Sequence, residues 1–303
     1  MTDISDQAAL PINAKHVLQQ FARRGDLSDA EFLYGEVAQR MLDRLKLIRL
    51  TPNAILDAGC ATGRRWENLR ARFPDADIVG LDHNPALLAM AQQRLKLSWG
   101  ARLSSLLRNK QPKITTVCAD LAESGLAPES MDLVWSNLAI HWHARPHDVL
   151  REWARVLKPG GLVFFSGWGP ATGIEVRQAL TRAKLHTDNL PLVDMHDLGD
   201  LMIQHGLADP VMDQESITLT YTDPLKMLAD VRALGGNPNP SRKSSLVSRQ
   251  WHSKLVTALE QQRDDCGKLS LTIELAYGHA WKSAVRRLDG ETRISVQSLT
   301  RGR

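Results

Sequence analysis

Residues 54–63 read AILDAGCATG, and the rest of the chain is best parsed outward from them. Ala54, Ile55 and Leu56 form a short apolar run that closes on Asp57, Ala58 and Gly59. A run of this kind, without alternation and bounded by turn residues, is the pattern of a strand buried on both faces. Gly59 and Gly63 then let the backbone turn tightly and approach a ligand without Cβ in the way.

Toward the C-terminus the same unit repeats. RRWENLRARF (64–73) predicts a helix and ADIVGLD (76–82) a second strand. PALLAMAQQRLKL (85–97) predicts a helix, opened by Asn84 as cap with Pro85 in the first position. ITTVCAD (114–120) and MDLVWSNL (131–138) read as the third and fourth strands. HDVLREWARVLKPGG (147–161) reads as a helix closed by Pro159-Gly160-Gly161, and LVFFSGW (162–168) as the fifth strand. Strands alternating with helices over short connections predict a doubly wound α/β fold, an open parallel sheet covered by helices.

On either side the pattern changes. Residues 1–12 read as a flexible leader. Residues 13–50 read as a helical segment, with Phe32, Leu33, Val37, Met41, Leu42 and Leu45 at helical spacing and Pro52 beyond it. Residues 51–282 then form the main domain. Within it ITLTYT (217–222) and LSLTIELAYGHAW (269–281) predict two later strands. Between them, helical segments near 223–235 and 245–262 flank the loop-forming GGNPNPSRKS. These two helices, about 223–262, are expected to form a lid over the ligand edge of the sheet. Residues 283–303 are expected to be a flexible basic tail.

Composition narrows the class. The chain has 303 residues and is 43% hydrophobic, enough for a full core. No apolar run approaches the ~20 residues that span a bilayer, so no membrane association is expected. The N-terminus carries early acids and no apolar core of a secretory signal, which predicts a cytoplasmic protein. Cys60, Cys118 and Cys266 are far apart with no C-x-x-C, which argues against a metal site and a disulfide framework. Net charge is +4, but unevenly spread. Residues 94–113 hold six basic residues and no acid, and residues 282–303 hold six basic and two acidic ones. The first of these stretches is a candidate docking patch for an acidic partner, with Arg102, Arg108 and Lys110 at its centre.

Ligands of open α/β sheets bind beyond the carboxyl ends of the strands. Four features fall there: Asp57-Ala58-Gly59-Cys60-Ala61-Thr62-Gly63, then Asp82, then Asp120, then Ser136-Asn137-Leu138. A carboxylate at Asp82 can accept from both hydroxyls of a ribose, and one at Asp120 from an adenine amino group. A nicotinamide fingerprint starting at Gly59 would need glycines at 61 and 64, where the chain has Ala61 and Arg64. A phosphate loop would need Gly-Lys-Ser/Thr, and Gly63 is followed by Arg64-Arg65. Asp57 also suits a cationic sulfonium or amino group better than a pyrophosphate.

ILDAGCATG, VGLDHNP, CADL, DLVWSNLAIHW and LKPGGLVFFSGWG resemble the successive motifs of the class I S-adenosylmethionine-dependent methyltransferases, over residues 54–168. The resemblance implies a Rossmann-like, seven-stranded, mostly parallel sheet and S-adenosyl-L-methionine as cofactor. It places Asp57, Gly59, Cys60 and Gly63 along the methionine and ribose, and Asp82 on the ribose hydroxyls with His83 beside the adenine. Asp120 and Leu121 bracket the adenine edge, and Asn137 contacts the methionine moiety. Ala61 stands where the family usually has its middle glycine.

WSNLAIHW, VLKPGG, FSGWG, ALGGN and LTIELAYGHAW are similar to the malonyl-[acyl-carrier-protein] O-methyltransferases of biotin synthesis. That likeness implies methylation of the free carboxylate of a malonyl thioester, with an acyl carrier protein or coenzyme A as its bearer. A carboxylate is ionised at pH 7 and needs no general base. His141, Trp142 and His143 are candidates for the acceptor pocket, and Arg145, Arg177 and Arg242 for holding the substrate carboxylate. In that family a Phe is commonly followed seven residues on by a Tyr, whereas here Phe21 is followed by Ser28. AEFLYGEVAQRMLDRL (30–45) is closer to the mitochondrial complex I assembly factors, a related branch associated with arginine hydroxylation, and Tyr34 is its candidate replacement tyrosine. Modification of a partner's arginine is therefore the alternative activity. Nucleic-acid methylation is disfavoured, because SNLA replaces the D/N-P-P-Y/F type of motif and aromatic content is only 5%.

Overall fold

The computed structural model describes residues 9–100, 112–242, 248–283, 287–288 and 291–292. Its centre is a seven-stranded sheet in the order β3-β2-β1-β4-β5-β7-β6. The strands are β1 (Ala54–Ala58), β2 (Asp77–Asp82), β3 (Ile114–Cys118), β4 (Met131–Ser136), β5 (Leu157–Trp168), β6 (Leu207–Tyr221) and β7 (Leu269–Lys282). β1 to β5 pair in parallel, and β7 runs antiparallel between β5 and β6. Strand order reverses between β1 and β4, so their carboxyl ends open a crevice at that point.

The apolar runs of β1, β4 and β5 are buried because helices cover both faces. One face packs Trp135 and Phe164 against α2 (Glu31–Leu45) and α3 (Trp66–Arg72). The other packs Val134 and Phe165 against α5 (Pro146–Val156) and α7 (Met195–Gln204). In α2, Leu33, Val37, Met41 and Leu45 are buried at four-residue intervals. Phe32, one step off that stripe, is 46% exposed.

Several boundaries differ from those read in the sequence. α5 ends at Val156, and β5 begins at Leu157 rather than Leu162. Pro159 disfavours a helical conformation at Lys158, so the chain is already extended where a helix end was expected. β6 is fifteen residues long, although only its last third was legible. Pro210 and the acids around it mask a strand at the edge of the sheet, where a missing N–H and polar outward residues are tolerated. α6 (Ile174–Arg182) and α7 lie between β5 and β6, where no helix was read.

Two expectations about the flanks change. Residues 9–12 of the leader pack down: Leu10 N donates to Ala144 O at 2.8 Å and Ile12 is buried. The helices before β7, α8 (Pro224–Ala233) and α9 (Arg249–Glu260), are present and bury Met227, Leu228, Leu255 and Leu259 in the core. Neither lines the crevice, and its outer wall comes instead from α1 (Ala14–Arg23) and the start of α2. Arg102, Arg108 and Lys110 lie outside the described residues, as does most of the basic tail apart from the short pairing of β8 (Arg287–Leu288) with β9 (Glu291–Thr292). No helix among the described residues is long and apolar enough to cross a membrane.

Candidate functional site

The turn after β1 forms the floor of the crevice. Gly59 has φ of 82° and Gly63 of 67°, a region that favours glycine. Gly59 N and Cys60 N both donate to Leu81 O, which holds the turn against the end of β2. A Cβ at Gly59 would lie 2.3 Å from that of Ala139, and one at Gly63 would lie 2.4 Å from the Trp66 ring. Ala61 takes the same left-handed conformation with φ of 47°, a strain that glycine would not carry. Its N–H donates to Asp82 Oδ2 at 2.9 Å, so the turn and the second acid form one unit.

Asp82 is buried at the end of β2, and its Oδ1 accepts from Asn84 N at 2.8 Å. Burial raises its carboxyl above the usual range. Asp57 is buried as well and accepts from Trp66 Nε1 at 2.8 Å. Desolvation, with the nearby Asp82 charge, pushes its pKa up to about 7 although the Trp66 bond opposes the shift. The third acid behaves in the opposite way. Asp120 Oδ1 lies 3.0 Å from His143 Nε2 and accepts from Ala122 N, and these bonds hold its carboxyl below the usual range.

Asn137 sits where β4 ends. Its Nδ2 donates to Tyr34 O at 3.0 Å, and its Oδ1 accepts from Ser166 Oγ. Both amide atoms are thus fixed, and the N-terminal wall is tied to the sheet. Asp57, Gly59, Cys60, Asp82, His83, Asp120, Leu121 and Asn137 all line one cleft. Gly63 does not line it directly but closes the turn behind it, donating to Cys60 O.

The acceptor candidates separate. Trp142 lines the cleft, edge-to-face with Phe21 at 5.4 Å, and His143 lines it too. His141 does not. It stacks on Trp168 at 4.5 Å and borders a second, smaller cavity with Ile140 and Val193. Its Nδ1 accepts from Trp168 N, and burial lowers its pKa to about 3, so the ring is neutral. None of the three arginine candidates lines the cleft. Arg145 pairs with Asp148, and Arg177 donates to the carbonyls of Thr172 and Pro170. The arginines that do line it are Arg64 and Arg65, which the sequence offered no reason to choose. Phe21 and Tyr34, which the family's Phe/Tyr pattern had singled out in the sequence, both face it from the N-terminal wall.

Comparison with known proteins accounts for this arrangement. A family profile described as a methyltransferase domain matches residues 56–165. The chain is 39% identical over 277 residues to a malonyl-[acyl-carrier protein] O-methyltransferase of Gallionella capsiferriformans, covering 91% of this chain and 93% of that protein. It is 41% identical over 258 residues to the protein of the same name from Laribacter hongkongensis, with 85% of each covered. The chain belongs to the malonyl-[acyl-carrier protein] O-methyltransferase family. It is an S-adenosylmethionine-dependent O-methyltransferase.

Solved structures agree on the fold of this methyltransferase. YcgJ from Bacillus subtilis superposes with a TM-score of 0.54 at 14% identity, over 81% of this chain and 99% of that one. Phosphoethanolamine N-methyltransferase 2 of Haemonchus contortus, solved with S-adenosyl-L-methionine, gives 0.51 at 18% identity, over 85% and 56%.

The cleft suits that donor on its own evidence. Its glycine turn has no room for a Cβ, and its buried carboxyls fit hydroxyls and a cation rather than phosphates. The raised pKa of Asp57 yields a measurable consequence. At pH 6 a carboxyl with a pKa near 7 is mostly protonated, and a cationic donor bound beside it would favour its ionised form. Donor binding at pH 6 is therefore expected to release close to one proton, and affinity to rise with pH until about 7. Titration calorimetry in buffers of different ionisation enthalpy measures this, and Asp57→Asn should reduce it. Heat independent of buffer in the wild-type protein would contradict the assignment. The sign for stability is the reverse. A raised folded-state pKa favours the folded protein below the ordinary carboxylate range, and this contribution is lost as pH rises through 7.

Proposed function

We propose that this methyltransferase esterifies the free carboxylate of a malonyl group held as a thioester on an acyl carrier protein or coenzyme A. The observation that carries the reading is the 39% identity across 277 residues with a relative of that name. We also propose that Asp82 holds the ribose hydroxyls, that Asp120 and Leu121 take the adenine edge, and that Asn137 lies by the methionine moiety.

The chemistry of the cleft supports an acceptor that is already ionised. Bound S-adenosylmethionine supplies an electrophilic methyl group on sulfur. A malonyl carboxylate needs no base to attack it, and two residues that could have served as one, His141 and Tyr34, are poorly suited to it. His141 is outside the cleft and only weakly basic. Tyr34 donates its hydroxyl to Leu234 O at 2.8 Å, and burial raises its pKa further. What the residues can supply is alignment, worth ~7–11 kcal/mol in well-oriented reactions. The aromatic wall of Phe21 and Trp142 would also exclude water from the attacking oxygen.

The test is transfer from methyl-labelled S-adenosylmethionine to purified malonyl-carrier protein, followed by mass spectrometry. One methyl per malonyl group is expected, removable by an esterase. Rescue of a biotin-requiring strain that lacks its own malonyl methyltransferase is the cellular counterpart. Bound donor without transfer to any malonyl thioester would overturn the acceptor assignment and leave the methyltransferase itself standing.

A further inference from the structure

The smaller cavity bordered by His141 and Trp168 is otherwise apolar, with Leu10, Ile140, Val193 and Leu198 on its wall. His141 and Trp168 are each 7% exposed. Because His141 Nδ1 accepts from Trp168 N at 3.3 Å, the proton of this neutral ring sits on Nε2. Nε2 has no acceptor among the described residues, and neither has Trp168 Nε1. A buried N–H left without an acceptor is costly, so a pair of them marks a place for an oxygen from outside the chain.

The position of this cavity follows from the ends of β4 and β5. Asn137 Oδ1 accepts from Ser166 Oγ, and Gly167 and Trp168 come next in the chain. The cavity therefore adjoins the Asn137 end of the cleft and not the end at His83 and Leu121. Trp142, on the cleft, touches both rings of the cavity. Its centroid lies 4.9 Å from that of His141 and 5.2 Å from that of Trp168, and its own Nε1 is also without an acceptor. Three adjoining rings thus offer N–H donors and no charge. That set suits a neutral carbonyl oxygen, since a carboxylate calls for a cation and no Arg or Lys borders the cavity among the described residues.

We propose that this cavity recognises the acyl carbonyl of the acceptor thioester, with His141 Nε2–H and Trp168 Nε1–H as its donors. The inference rests on the malonyl reading above. In a malonyl thioester a single methylene separates the carboxylate from that carbonyl. An acceptor whose carboxylate enters the cleft beside Trp142 then presents its carbonyl to the next rings, His141 and Trp168. His141 acts here by donating, and weak basicity serves that role. A ring that takes up no second proton keeps Nδ1 free to accept from Trp168 N, and so keeps Nε2–H aimed the same way.

Calorimetry on the full chain loaded with S-adenosylhomocysteine reads this contact without turnover. The ligands are a malonyl thioester and its S-(2-carboxyethyl) thioether, which has a methylene in place of the acyl carbonyl, each carried on coenzyme A and on an acyl carrier protein. The wild-type protein should bind the thioester about 10-fold more tightly. In His141→Leu the preference should fall to about 2-fold or less, with S-adenosylhomocysteine affinity unchanged. His141→Gln should restore most of it, because its oxygen can accept from Trp168 N while its amide nitrogen donates. Trp168→Phe keeps a stacked ring without the indole N–H and should lower the preference part-way. Equal binding of thioester and thioether by the wild-type protein, a comparison that needs no variant, would mean that the cavity holds ordered water only. Losses in His141→Leu that are the same for both ligands, or that extend to S-adenosylhomocysteine, would make the ring a structural support. Either result overturns the proposal and leaves the malonyl reading standing. Binding of neither ligand on either bearer, by protein that still holds S-adenosylhomocysteine, would sink the malonyl reading and this inference with it.

Discussion

Asp82→Ala is expected to weaken S-adenosylhomocysteine binding by about 100-fold or more, because in the role proposed for it two hydrogen bonds from ribose hydroxyls to a carboxylate would be lost together. The residue is buried at the end of β2, on the wall of the cleft. It also has a structural duty, since its two oxygens accept from Ala61 N and Asn84 N. Asp82→Asn keeps one acceptor oxygen and the side-chain shape, so it should retain more of the turn while still losing the charge-assisted part. Thermal unfolding of both variants separates loss of the turn from loss of the ligand contact. Unchanged affinity in Asp82→Ala would remove Asp82 from the nucleoside site.

Gly59→Ala should destabilise the protein by about 2–5 kcal/mol, the sum of a left-handed backbone cost and an overpacking cost. The new Cβ would sit 2.3 Å from Ala139 Cβ, a distance that requires backbone movement. Ala139→Gly in the same chain removes the collision but not the strain of φ at 82°. The double variant is therefore expected to recover roughly the overpacking part, ~1–3 kcal/mol, and no more. Denaturant unfolding of the wild type, both single variants and the double variant gives this coupling directly. If Gly59→Ala alone unfolds like the wild type, the close packing of the turn on the 139 segment is wrong. Donor affinity should fall in step, since Gly59 forms part of the cleft floor.

Much of the cleft was legible before any coordinates, for a reason particular to parallel sheets. β1, β2, β3 and β4 run parallel, and the residues at or just after their carboxyl ends must sit at one common edge. Asp57, Asp82, Asp120 and Asn137 could therefore be gathered from four separate places in the chain. β6 escaped this logic. At the edge of the sheet it alternates half-exposed and exposed residues, with a proline and acids that read as loop. The end of α5 escaped it too, because Pro159-Gly160-Gly161 signals an ending without saying that the strand has already begun.

The helical period of 32–45 and the turn-forming glycines 59 and 63 are local signals, set by the spacing of apolar side chains and by the lack of a Cβ. Such features need no distant partner, and the amino-acid order alone was enough to establish them. Which surface the N-terminal helices cover is a different kind of fact. It depends on Asn13 N bonding to Pro238 O, on Tyr34 bonding to Leu234 O and on Arg65 meeting Glu31, across gaps of up to 225 residues. The same holds for His141 and Trp142, neighbours in a single 3-10 turn that face different cavities. Only the packing of Trp168 and Phe21 against that turn settles which ring reaches the cleft, because one short turn has no period from which its phase could be read.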